Sequence, residues 1–147
     1  MEYSINANKA SASDHGDAIK LLESQKLPHT DIDKNLTHFF VVREADKLQG
    51  LIGLEIYGDS GLLRSMATSP LHRNKGIATL LVTKLLGYAK TLGLKEVFLF
   101  TETAAEFFQK RGFQYIRREE APEDISQSSE FTHLCPSSAI LMKKEIT

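Results

Sequence analysis

Residues 62–100, "LLRSMATSPLHRNKGIATLLVTKLLGYAKTLGLKEVFLF", constrain the fold more than any other stretch of the chain. Two apolar, strand-like runs, "LLRSMAT" and "LKEVFLF", flank a segment whose apolar residues recur at helical spacing. Ile77, Leu80, Leu81, Leu85 and Tyr88 form the stripe over residues 75–91. Gly93 sits where a helix C-terminal glycine belongs. A crossover of this length joins parallel neighbours in one sheet. The chain is therefore expected to be α/β.

The flanking segments read as strands and short helices. "EYSINANKA" alternates and is expected to begin the sheet; Ser13 is expected to cap a helix over 14–24, with Ile19, Leu21 and Leu22 facing inward. "LPHTDIDKNLT" reads as loop or a short second helix. "HFFVVRE" and "LQGLIGLEIYG", separated by "ADK", read as an antiparallel hairpin, and "GDSG" as the next turn. After the crossover come a short helix, "TAAEFFQKR", ended by Gly112, and a strand, "FQYIRR". A polar loop or short helix, "EEAPEDISQSSEFTHL", and a closing strand, "SSAILMKK", complete the order. This is a mixed, mainly antiparallel sheet with helices on its faces. With 147 residues it is expected to be a single domain, 1–147.

Charge excludes some partners. The 18 basic and 19 acidic residues leave a formal net charge of −1, which gives no electrostatic case for nucleic acid or an anionic membrane. Any positive charge that matters must be local. The one cysteine, Cys135, makes neither an internal disulfide nor a multi-thiolate metal site, so no metal is expected. No signal-peptide layout and no run near ~20 apolar residues is present, so the cytoplasm is the expected location. A homodimer stays open.

Local positive charge is found before the central helix. The first helical turn has backbone N–H groups without intrahelical partners, at the positive end of the helix dipole, and an anion docks readily there. Arg73 and Lys75 add charge; Gly76 and Ala78 let the backbone approach closely. R-x-x-G-x-A between strand and helix suits a diphosphate, although as a hexapeptide it is short and degenerate. Neither G-x-x-x-x-G-K-[ST] nor a G-x-G-x-x-G after a strand is present.

Taken together, "LLRSMATSPLHRNKGIATLL", "LKEVFLF" and "TETAAEFFQKRGF" resemble the core of the GNAT superfamily of N-acetyltransferases, over about residues 40–117. "GLLRSMA", "TETAAEFFQKRGF" and "EFTHLCPSSA" further resemble a subfamily often called arsenic-resistance N-acetyltransferases, close to amino-acid N-acetyltransferases. The resemblance implies acetyl-CoA as co-substrate and a central parallel pair splayed where it binds. It implies that Met66 and Thr68 hold the pantetheine arm through their backbones. Arg73, Asn74, Lys75, Gly76, Ala78 and Thr79 would hold the diphosphate, and Phe108 would lie against the cofactor. Many relatives carry a tyrosine proton donor where Phe108 stands; Thr101, Thr103, Ser137, Cys135 or water would then protonate the thiolate.

Acetyl transfer to an amine needs a neutral nitrogen, a polarised thioester carbonyl and a leaving thiolate. Met66 N–H is implied as the oxyanion donor. Glu55 is the candidate base: alternation puts it with Tyr57 on the side opposite Ile52, Leu54 and Ile56. The alternative is an ion pair with Arg64. Arg64, mid-strand, is the candidate grip for an acceptor carboxylate, with the same ion pair as its alternative. Ser65, Thr101 and Cys135 complete the candidate acceptor site. Cys135 is expected to line or pack rather than attack, and Arg117 and Arg118 to form a solvated charge run. The expected acceptor is a small amino-acid-like amine with an acidic group. A protein N-terminus or lysine, and a non-catalytic acyl-CoA-binding module, are the alternatives.

Overall fold

The computed structural model describes residues 6–69, 76–128 and 139–146. Strands are β1 (Ala7–Lys9), β2 (Phe39–Glu44), β3 (Lys47–Tyr57), β4 (Ser60–Thr68), β5 (Glu96–Thr101), β6 (Gln114–Tyr115) and β7 (Ile140–Glu145). Helices are α1 (His15–Ser24), α2 (Ile77–Thr91), α3 (Ala105–Gln109) and α4 (Glu123–Ser126). The sheet order is β1-β2-β3-β4-β5-β7-β6. β4 and β5 are the expected parallel pair, Ser60 to Leu62 against Glu96 to Phe98. The β1–β2, β2–β3, β5–β7 and β6–β7 pairs are antiparallel. The chain forms two compact units, Met1–Leu54 with Ser65–Tyr88, and Glu55–Arg64 with Ala89–Thr147.

In the first unit, β2 and β3 form the expected hairpin. Ala45 and Asp46 both have left-handed φ, 52° and 65°, the two-residue turn whose twist matches the strands. Lys47, read as loop, already pairs with Glu44. Ser13 is not the cap. A turn of tighter helix, Ala12–Asp14, precedes α1, and Asp14 accepts the Ser11 backbone N–H at 2.9 Å, so the cap falls two residues earlier, at Ser11. Asp14 also accepts from Arg43 Nε and Nη2 on β2, at 2.9 and 2.7 Å, which ties the start of α1 to the sheet. Ala18 and Leu22 are fully buried, while Ile19 and Leu21 are only partly so. The 27–37 segment is loop, with Leu36 in the same core as Val41, Leu51 and Ala67.

α2 lies on the other face. A Cβ at Gly50 would come within 2.7 Å of Ile77 Cγ2 and 3.0 Å of Leu81 Cδ1, so the glycine lets the helix close on the strand. Gly50 and Leu51 point to opposite faces, which sets α1 and α2 on opposite sides of the hairpin. Of the expected stripe, Ile77, Leu81 and Leu85 are buried, with Val82 added; Leu80 and Tyr88 are half-buried.

In the second unit, Gly93 (φ 78°) closes the helix: its N–H donates to Lys90 O and Leu94 N–H to Ala89 O, at 3.0 and 3.1 Å. The closing strand β7 inserts between β5 and β6. β6 is only two residues long, against the six of "FQYIRR". Leu62, Phe98, Ile125 and Leu141 form the core, with Tyr57, Phe100, Ile116 and Ala121 packed against it.

Candidate active site

Arg64 is buried on β4, its side chain 2% exposed, and its Nη1 donates to Glu55 Oε1 at 2.8 Å. This is the ion pair stated above as the alternative for both residues. Glu55 is the accessible partner, with its side chain 29% exposed. Tyr57, two residues along β3 on the same face, donates its hydroxyl to Glu55 Oε2 at 2.6 Å. Each carboxylate oxygen thus meets a different donor. A carboxylate offers about four acceptor sites, so two contacts fix its plane without filling it. The arrangement chemically makes an oriented anion reachable from solvent, with the arginine behind it.

Ser65 follows with φ 57°, left-handed, inside β4. A non-glycine residue there costs roughly 1–2 kcal/mol. Such strain inside a strand marks a place where the chain re-aims its groups. Beyond it, Met66 and Thr68 are half-buried and Ala67 is buried. The Thr68 carbonyl accepts from Gln25 Nε2 at 2.6 Å, and the Ser69 N–H donates to Gln49 O at 2.8 Å.

The helical ladder of α2 begins with Leu80 N–H to Gly76 O at 3.0 Å, so the amides of Gly76, Ile77 and Ala78 precede it. Gly76 has φ 79°, exposed, and a Cβ there would meet nothing within 4 Å. Ile77, 1% exposed, anchors the turn beneath, and Ala78 and Thr79 lie on its half-buried and exposed sides. Arg73, Asn74, Lys75 and Cys135, like His133 and Ser137, lie outside the described residues.

Thr101 Oγ1 accepts the Ala104 N–H at 2.9 Å and so caps the turn into α3. Phe108 lies in a cluster of phenylalanines. Expected beside the cofactor, it is 3% exposed and packs edge-on against Phe113 and Phe107, with centroids 5.4 and 5.1 Å away. Adjacent helical positions point about 100° apart, so only one of the two phenylalanines enters the core. Phe107 stays half-buried beneath the Arg111 guanidinium, 3.6 Å from its ring centroid.

The family model described as "Acetyltransferase (GNAT) family" matches residues 8–113. The chain belongs to the GNAT acetyltransferase family. The amino-acid acetyltransferase of Neisseria meningitidis serogroup A is 24% identical over 94 residues, 63% of this chain and 22% of that protein. An uncharacterized N-acetyltransferase of Chlorobaculum tepidum is 31% identical over 96 residues, 65% of this chain and 61% of that one. Among solved structures, N-acetylglutamate synthase from Neisseria gonorrhoeae, complexed with coenzyme A and N-acetyl-glutamate, has a TM-score of 0.84 at 20% identity. That likeness, which concerns the fold, covers 100% of this chain and 36% of the synthase. The GNAT chain thus spans about a fifth of the meningococcal relative.

Sequence reasoning placed Tyr57 beside Glu55 by alternation but gave it no part; its hydroxyl is now part of the site. It read Arg118 together with Arg117 as a solvated charge run, and the structure separates the two. Arg117 is exposed and paired with Glu120 at 2.9 Å, as a charge run would be. Arg118 instead is half-buried, with Nη2 donating to Ala139 O at 2.9 Å and its guanidinium 5.2 Å from the Phe100 centroid. No sequence signal separates two consecutive arginines; only the fold does.

Proposed function

We propose that this GNAT chain transfers an acetyl group from acetyl-CoA to the amine of a small amino-acid-like acceptor that carries an acidic group. The observation that carries the reading is the Glu55 carboxylate, reachable from solvent and clamped by Arg64 and Tyr57. Fixed in this way, it would receive the proton of an attacking amine, directly or through one water. Arg64 serves this role from behind, by holding the carboxylate in place.

The amides of Gly76, Ile77 and Ala78 at the α2 mouth would hold the diphosphate, with Thr79 beside them. Arg73, Asn74 and Lys75 stand next to them in sequence. When bound, acetyl-CoA supplies the activated acyl group as a thioester. Met66 N–H, one residue past the left-handed Ser65, would donate to the oxyanion, and Thr68 and Met66 would meet the pantetheine arm through their backbones. Thr101 keeps its hydroxyl proton for a donor role while its oxygen accepts from Ala104. The amino-acid-like acceptor is supported by relatives named amino-acid acetyltransferases.

A thiol-release assay with acetyl-CoA tests this. The expected result is turnover with acidic amino acids, including phosphinate and arsinate analogues of glutamate, above that with their neutral amide counterparts. Turnover confined to peptide N-termini or lysine side chains, or none with any amine, contradicts it.

A further inference from the structure

We infer that Arg118 is the residue that reads the acidic group of the acceptor, while Glu55 receives its amine. The inference rests on the acetyl-transfer reading above and names the recognition element within it.

The strand register places the groups. Ser60 stands beside Glu96 and Leu62 beside Phe98, and side chains at partnered positions of parallel strands share a face. The Ser60 hydroxyl donates to Glu96 at 3.0 Å, as that sharing requires. Two residues further along each strand, Arg64 and Phe100 therefore come to the same face. Glu55 reaches that face from β3, through its 2.8 Å bond to Arg64. Tyr57 and Phe100 both pack against the Leu62, Phe98, Ile125 and Leu141 core. Arg118 lies over Phe100 on this side, steadied by the Ala139 carbonyl.

Carboxylate and guanidinium thus flank one patch, from β3 on one side and over β5 on the other, with β4 between. Arg64 does not fill this role, because its side chain is buried against Glu55. A half-buried guanidinium held at cation–π distance over an aromatic ring suits arginine's planar recognition of a carboxylate.

The test is the ratio of kcat/KM for an acidic amino acid to that for its amide, measured in wild type, Arg118→Gln and Arg118→Lys. Arg118→Gln is expected to lower the ratio about tenfold, through the acidic acceptor's KM, with the KM for acetyl-CoA unchanged. Arg118→Lys is expected to recover part of the preference, and if Arg118→Gln does not fold, a lowered ratio in Arg118→Lys carries the test. A wild-type ratio in the folded Arg118→Gln variant overturns the inference and leaves the acetyl-transfer reading intact. A wild type with no preference for the acid overturns the acidic acceptor itself.

Discussion

A guanidinium whose side chain is 2% exposed stays inside the sheet because an anion meets it, and Glu55 is that anion. Removing one member of such a pair leaves a buried charge, at a cost of about 3–5 kcal/mol. Arg64→Ala instead exposes no charge but opens a cavity and frees Glu55 to swing. It is expected to lower acetyl transfer more than it lowers melting temperature. Glu55→Ala, which takes the carboxylate from the buried arginine, is expected to show the larger loss on thermal melting; a Glu55→Ala melt equal to wild type would remove the pair from the stability account. Tyr57→Phe keeps the ring in its core and removes only the hydroxyl. Its melting temperature is expected to stay within a few degrees of wild type, while its acetyl-transfer rate falls because Glu55 loses one of two clamps.

At the scale of elements, α2 is placed by a glycine it does not contain. Gly50 lets Ile77 and Leu81 touch the strand, and that contact sets the height of the helix mouth at Gly76. Gly76→Glu adds a negative charge and a side chain where the diphosphate is proposed to dock, in a left-handed backbone position. Calorimetric titration is expected to show loss of acetyl-CoA binding; unchanged affinity would dismiss the helix mouth as its socket. The crossover, the hairpin and the helix-ending glycines were legible because each has a local cause: periodicity, turn chemistry or left-handed φ. The insertion of β7 between β5 and β6 was not, because strand neighbours far apart in sequence leave no local mark. The Ser65 kink was equally silent, since serine is no residue of choice for left-handed φ. Of the site, the Glu55–Arg64–Tyr57 face was readable from strand alternation, whereas Arg118 was indistinguishable from Arg117 until the chain placed it over Phe100.

For the whole molecule, pH is the natural probe, because two ties in the first unit titrate. Burial, and then nearby Lys9, pushes His38 below its ordinary 6.5, and its Nδ1 lies 2.7 Å from Tyr88 Oη. Below pH 6.5 the unfolded chain therefore binds a proton that the folded chain refuses, so stability is full above that value and falls with pH beneath it. Burial alone would raise Asp14, but hydrogen bonds from Ser11 and Arg43 outweigh it and hold the carboxyl below 3.8. Its contribution is present above 3.8 and is lost as pH falls through the lower folded value. Thermal melts are expected to show a first decline in melting temperature below pH 6.5 that His38→Gln flattens, and a second in strong acid that Asp14→Asn flattens. A His38→Gln melt with the wild-type slope would contradict the first assignment.

The central claim is that Glu55, held by Arg64 and Tyr57, takes the proton of the attacking amine. The pH dependence of kcat/KM for wild type and Glu55→Gln, with one acidic acceptor and saturating acetyl-CoA, tests it most directly. The account predicts a wild-type profile that rises with pH and a Glu55→Gln profile that is lower and loses the rise. Two profiles of the same shape and height would contradict it.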